Sequence, residues 1–211
     1  SGALSHTHSG QIRYQAGNDI ALSSLDASGS TVSLTADRGS ISNNNGSDIN
    51  VFADRLEMSA GAGIGRAAAL ATDIRILDAQ SQSGRLAVVN QGELQVGRMA
   101  SNGNVRLSNR TGDIYLNNQD GPVFNTAESD ARLAGGTLNG NYNLGTVVVE
   151  VADGSLYGLG QAHAHKPDLV GREVIMLAPN GTVGSRGRPL VVYAKDLSST
   201  IAGHTWPMWW A

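Results

Sequence analysis

A short periodic phrase constrains this chain more than anything else in it. Between residues 84 and 118, a glycine, one residue, an aliphatic, one residue and a second aliphatic recur four times. The units are Gly84/Leu86/Val88, Gly92/Leu94/Val96, Gly103/Val105/Leu107 and Gly112/Ile114/Leu116. Alternate spacing puts each aliphatic pair on one side of a short strand and turns residues such as Arg106 and Tyr115 to the other. Glycine ahead of each strand supplies the positive φ or tight bend that a corner needs. The second unit starts 8 residues after the first and the third starts 19 after it, so the chain comes back into phase after about 19–20 residues. A strand-and-turn repeat of that length marks a solenoid, in which each coil buries its apolar side against the next.

The 211 residues then predict one continuous all-β unit, residues 1–211, of about ten coils of ~20 residues. The composition agrees with a narrow core bounded by turns: glycine contributes 27 residues, and the chain is 40% hydrophobic but only 16% charged. The aliphatics are phased rather than absent, which excludes a disordered chain. A net charge of −3 with no Lys/Arg stripe argues against a nucleic-acid partner. No apolar run approaches the length of a spanning helix, so no membrane insertion is expected. There is no cysteine, hence no disulfide or thiolate metal site. Starting at Ser1-Gly2 and stopping at Trp209-Trp210-Ala211, the chain reads as a piece of a longer protein.

The strand pattern runs from Ile12/Tyr14 through Ile20/Leu22, Val32/Leu34, Ile41 and Ile49/Val51. Residues 67–77 come nearest to a helical period, but the alternating, β-branched Ile74 and Ile76 favour a strand. Asn43-Asn44-Asn45, Asn90 and Asn109 fall where corners are due, as turn residues that can also stack into hydrogen-bonded ladders.

Regularity fails near residues 117–146, where Gly121-Pro122, Gly135-Gly136 and Gly140 predict a loop or hairpin insertion standing off the solenoid, and again near 153–171. Insertions on a solenoid often carry its contacts, which makes Tyr142, Asp130 and Tyr157 candidate ligand-binding residues. Trp206 and Trp209 join them, since aromatic faces suit sugar rings; their competing role is to cover a coil end.

His163 and His165 are an i,i+2 pair able to supply half of a zinc site. No third ligand can be named, and His6/His8 repeats the arrangement. The expectation is therefore surface histidines, with no metal and no cofactor. Asp113, Asp130 and Asp153 are scattered, and no two acids stand in phase one coil apart, so a non-enzymatic role is expected. The Gly61-x-Gly63-x-Gly65 string lacks the strand–helix surroundings of a phosphate loop.

A longer motif occurs twice, 119 residues apart. Gly63-Ile64-Gly65 leads to Leu70 and Leu77, and Thr182-Val183-Gly184 leads to Pro189-Leu190 and Leu197. Together with Gly84/Leu86, Asn90/Gly92/Leu94 and Gly97, it resembles the repeat of filamentous-haemagglutinin-type exoproteins exported by two-partner secretion. The sequence departs from that pattern at Ala69, where those repeats carry proline, and it contains no Asn-Pro-Asn secretion motif. The resemblance implies a right-handed parallel β-helix in a secreted or bacterial cell-surface adhesin. It implies as partners an extracellular polysaccharide or host glycan receptor, and an outer-membrane transporter for export. Two alternatives stand beside it: a passive shaft of a contact-dependent toxin-delivery exoprotein, and a β-helix polysaccharide-degrading enzyme.

Overall fold

The computed structural model describes residues 4–7, 9–117, 123–125, 145–158 and 167–201. Among them are seventeen strands and no helix. The strands join in one sheet, and every pairing between them is parallel. The result is a parallel β-solenoid of about eight stacked turns.

One coil shows the construction. Strand Leu86–Asn90 lies along a first face, A, and the chain turns over residues 91–93. Strand Leu94–Ser101 then supplies the other two faces: residues 94–96 lie on face B and 98–101 on face C. The register shift between Val96 and Arg98 is the bend that separates them. After a turn over 102–104, strand Val105–Asn109 lies directly over the starting strand, Leu86 beside Val105 and Asn90 beside Asn109. The coil therefore closes in 19 residues.

The alternation read from the sequence decides which side chains enter. Leu86, Val88, Val105, Leu107, Ile114 and Leu116 are all fully buried. Register stacks them with their counterparts: Leu86, Val105, Val147 and Val174 form one interior column, and Val88, Leu107, Val149 and Met176 the next. Each such side chain contributes about 1.5–3 kcal/mol of burial. Corner glycines do two different jobs. Gly84 and Gly112 adopt positive φ, +76° and +78°. Gly103 does not, but a Cβ on it would stand 2.4 Å from the Gly84 carbonyl oxygen, so there the need is close approach between coils.

The corner asparagines are interior ladders rather than plain turns. The Asn90 Nδ2 donates to Asn109 Oδ1 at 3.1 Å, and Asn90 Oδ1 accepts from the Ile74 N–H at 3.1 Å and from Thr72 Oγ1 at 2.9 Å. Asn109 donates to the Gly92, Thr111 and Gly112 carbonyls at 2.8–2.9 Å. Asn50 likewise donates to Leu22 and Ser23 and accepts from the Ala71 N–H. Each amide saturates backbone groups that the corners leave unpaired, which is why a polar side chain is stable at under 2% exposure.

The described residues make about eight turns against the expected ten, because two coils are long. Asn104 receives the Thr146 N–H from the next coil across 42 residues, and Ser155 receives that of Thr182 across 27. The first interval contains the insertion expected near 117–146, of which only Val123–Asn125 and the flanks lie within the described residues. Strand Phe124–Asn125 pairs on both sides, with Met99–Ala100 and with Leu169–Val170, so this long coil still completes face C. Residues 67–69 precede a strand, Leu70–Ser81, as the alternation of Ile74 and Ile76 indicated.

The twice-used motif proves to be a bend rather than an in-register repeat. Ile64 pairs with Leu86 and Leu70 with Val88, so residues 65–69 loop out within face A, between two positions of one neighbouring strand. In the second copy Val183 bridges to Leu156 on face B, and Ser185 and Arg188 pair across a tight hairpin on the way to face C. The two copies occupy different places in the coil.

Candidate ligand-binding site

The best-defined outward cluster lies on face B. Gly112-Asp113-Ile114-Tyr115 and Gly154-Ser155-Leu156-Tyr157 are the same phrase on neighbouring coils, and register sets Tyr115 beside Tyr157. Ile114 and Leu156 point into the core, so the tyrosines must point out. Their rings stack with centroids 5.9 Å apart and 29° between planes. The Tyr115 hydroxyl donates to Asp113 Oδ2 at 3.3 Å, while Asp113 Oδ1 accepts the Ser155 N–H across the coil at 2.8 Å. Burial, with the nearby charges of Asp113 and Glu93, holds the Tyr115 phenol above its usual pKa.

Arg188 completes the cluster from the hairpin that follows Val183. The Ser185 and Arg188 N–H groups each donate to the other residue's carbonyl at 3.1 Å. From there the guanidinium lies 5.3 Å from the Tyr115 ring centre and 5.9 Å from that of Tyr157, within cation–π range. Tyr115, Arg188, Arg75, Glu93 and Gln95 line a groove of about 240 Å³. Arg75 is spoken for, since it forks onto both carboxylate oxygens of Asp54 at 2.8 and 3.1 Å. Glu93 and Arg188 form no ion pair among the described residues. The groove thus offers an aromatic wall, an amide, and one charge of each sign outside any salt bridge among the described residues.

Of the residues singled out in the sequence, Tyr157 belongs to this cluster, backing Tyr115. Tyr142, Asp130, Trp206, Trp209, His163 and His165 lie outside the described residues. Sequence reasoning missed Tyr115 as a partner and missed Arg188 altogether. The repeated Gly-x-aliphatic-Tyr phrase was a usable signal for the tyrosines. Nothing local marked Arg188, whose place depends on how the hairpin folds back. Elsewhere His6 faces Asp26 at 3.1 Å. Hydrogen bonds from Ser28, more than His6, hold the Asp26 carboxyl below its usual pKa.

One expectation is overturned. Acids do stand in phase one coil apart: Glu57 pairs with Asp78, and Glu173 with Asp196. A search at a constant ~20-residue period passes over them because coil length varies, here by corner loops of different size. Arg55 bonds Asp78 through Nη1 and lies 3.7 Å from Glu57 Oε1. A further acid, Asp168, is 2% exposed. Its Oδ2 accepts the Val191 N–H at 2.8 Å, its Oδ1 has no hydrogen-bond partner, and burial pushes its pKa up to about 6.

The fold and the groove define a parallel β-solenoid with an outward aromatic–guanidinium cluster. No family model, curated protein or solved structure matches the chain.

Proposed function

We propose that the chain is a polysaccharide-binding segment of a secreted or cell-surface bacterial adhesin, wound right-handedly and exported through an outer-membrane transporter. The observation that carries the binding reading is the Tyr115 wall of the face B groove. An aromatic face receives the C–H side of a pyranose, while Gln95, Glu93 and Arg188 are placed to exchange hydrogen bonds with its hydroxyls. About 240 Å³ is small for a drug-sized ligand and suits a single sugar unit of a longer chain. Weak single-unit contacts on a rigid rod gain strength through many copies. Secretion, adhesion and the right-handed winding rest on the resemblance to filamentous-haemagglutinin-type repeats, the winding also on the strong bias of parallel crossovers. The test is titration of soluble polysaccharides against the protein and its Tyr115→Ala and Arg188→Ala variants. Binding lost in both supports the reading; binding by neither wild type nor variants leaves a passive shaft.

A hydrolytic reading is favoured by one observation, the Glu57–Asp78 register pair. Arg55 occupies Asp78, which suits a structural ion pair better than a proton donor. Release of reducing ends from polysaccharide, abolished by Glu57→Gln, would establish the enzyme instead.

A further inference from the structure

Face C carries a second polar surface, built quite differently. On its outer side, strands Ser24–Ala36, Val51–Ala60, Leu70–Ser81 and Leu94–Ser101 run side by side. Two outward rows cross them in register. One reads Ser33, Glu57, Asp78, Arg98, and the other Thr35, Ser59, Gln80, Ala100. A groove of about 350 Å³ lies over these rows.

Three features of the surface limit what it can take. The neutral groups are uncommitted: among the described residues, no hydrogen bond or other polar contact engages the side chains of Ser33, Thr35, Ser59 or Gln80. The corner asparagines, by contrast, are saturated. Each hydroxyl or amide can both donate and accept, as a polyol requires. Second, the rows repeat once per coil, about 4.8 Å apart, close to the length of one sugar in an extended chain. Third, the backbone groups of these strands are already paired with the coils on either side, and the outward side chains in the groove are polar. An added peptide strand finds neither a free edge nor an apolar pocket.

We infer that the outer side of face C binds an extended, neutral, β-linked glycan laid along the solenoid axis, one sugar per coil across the three coils that carry Thr35, Ser59 and Gln80. Hydroxyls of successive sugars bond Thr35, Ser59 and Gln80, with Glu57 and Arg98 flanking the row. The ligand class is that of the face B groove, but the residues are different, and the two sites stand or fall separately.

The experiment is calorimetric titration with cello-oligosaccharides of one to six units and with malto-oligosaccharides of the same lengths, whose chain coils. Affinity for the cello series is expected to rise by roughly threefold to tenfold per unit, the worth of about one hydrogen bond, and to level off near three units. The malto series should gain nothing beyond its first unit. A Thr35→Val/Ser59→Ala/Gln80→Met variant should abolish the rise while melting like wild type; if it melts early, Gln80→Met alone should halve the slope. Tyr115→Ala, run in parallel, should leave the rise intact. A rise that survives the triple variant, an equal rise for the malto series, length-independent affinity or no binding would each overturn the inference. A rise lost in the triple variant, with Tyr115→Ala binding like wild type, would uphold it and leave the face B reading to its own titration.

Discussion

The coils up to Leu116 and those beyond it solve the same packing problem with different resources. In the first region the chain returns to register after intervals such as 19 and 21 residues, and the corners are sealed by buried amides. In the second, intervals of 42 and 27 residues separate neighbouring rungs. The amide column Asn90–Asn109 continues there as Val151, which register places beside Asn109. Yet Val147 and Val149 are as completely buried as Val105 and Leu107. A solenoid tolerates extra chain at a corner because its interior is defined only by strand-to-strand register, and loop length costs little entropy. What the second region loses is polar saturation. The Asn109 column ends there in Val151, and on face C Asp168 is a buried acid with one oxygen unpartnered.

Changes that attack the shared interior should be the most damaging. Leu107→Asp places a carboxylate between Val88 and Val149, and urea titration should show a loss of about 4–5 kcal/mol, the scale of an unpaired buried charge. Arg106→Ala, one residue away on the outside, should cost under about 1 kcal/mol, since it loses only a half-exposed pair with Glu150. Equal losses would refute the assigned phase.

The amide corner is next. Asn109→Leu strands the Thr111 and Gly112 carbonyls and removes one partner each from the Gly92 carbonyl and the Asn90 amide, for an expected loss of about 2–4 kcal/mol by thermal melting. A near-neutral result would show that water can seal the corner.

Asp168 should respond in the opposite direction. Its folded pKa of about 6 lies above the unfolded value of about 3.9. The folded state therefore holds the proton more tightly, and stability falls as pH rises from about 4 through 6. Asp168→Asn removes the ionisation cost but leaves an amide N–H₂ without a partner, so the net gain at pH 7 should be about 1–2 kcal/mol. The difference should vanish near pH 4. A variant less stable than wild type at pH 7 would mean that the charge has a partner in the folded protein.

The smallest effect expected is from the insertion itself. Replacing residues 126–144 with Ser-Asn, the two residues that lead from Ala100 to Gly103 as this join leads from Asn125 to Gly145, should shift stability by less than about 1 kcal/mol. A large loss would make those residues part of the core.

Much of this architecture was legible beforehand. Strand alternation identifies Leu86, Val88, Val105, Leu107, Ile114 and Leu116 as interior, and the corner glycines and asparagines were recognisable by type. The candidate site was legible only in part. Tyr157 could be singled out, but its partner Tyr115 sits 42 residues earlier, an interval the nominal period does not contain. Arg188 reaches the tyrosines through the hairpin after Val183, and Glu57 meets Asp78 through a 21-residue step.

The sequence by itself determined a period and a phase, because side-chain alternation is a local property of extended backbone. From these follow the solenoid, its aliphatic columns and which residues face out. Tertiary structure alone decided how many residues each coil spends at its corners, and therefore which outward residues become neighbours on adjacent coils. That pairing depends on backbone register summed over every loop between them, a quantity no local stretch encodes.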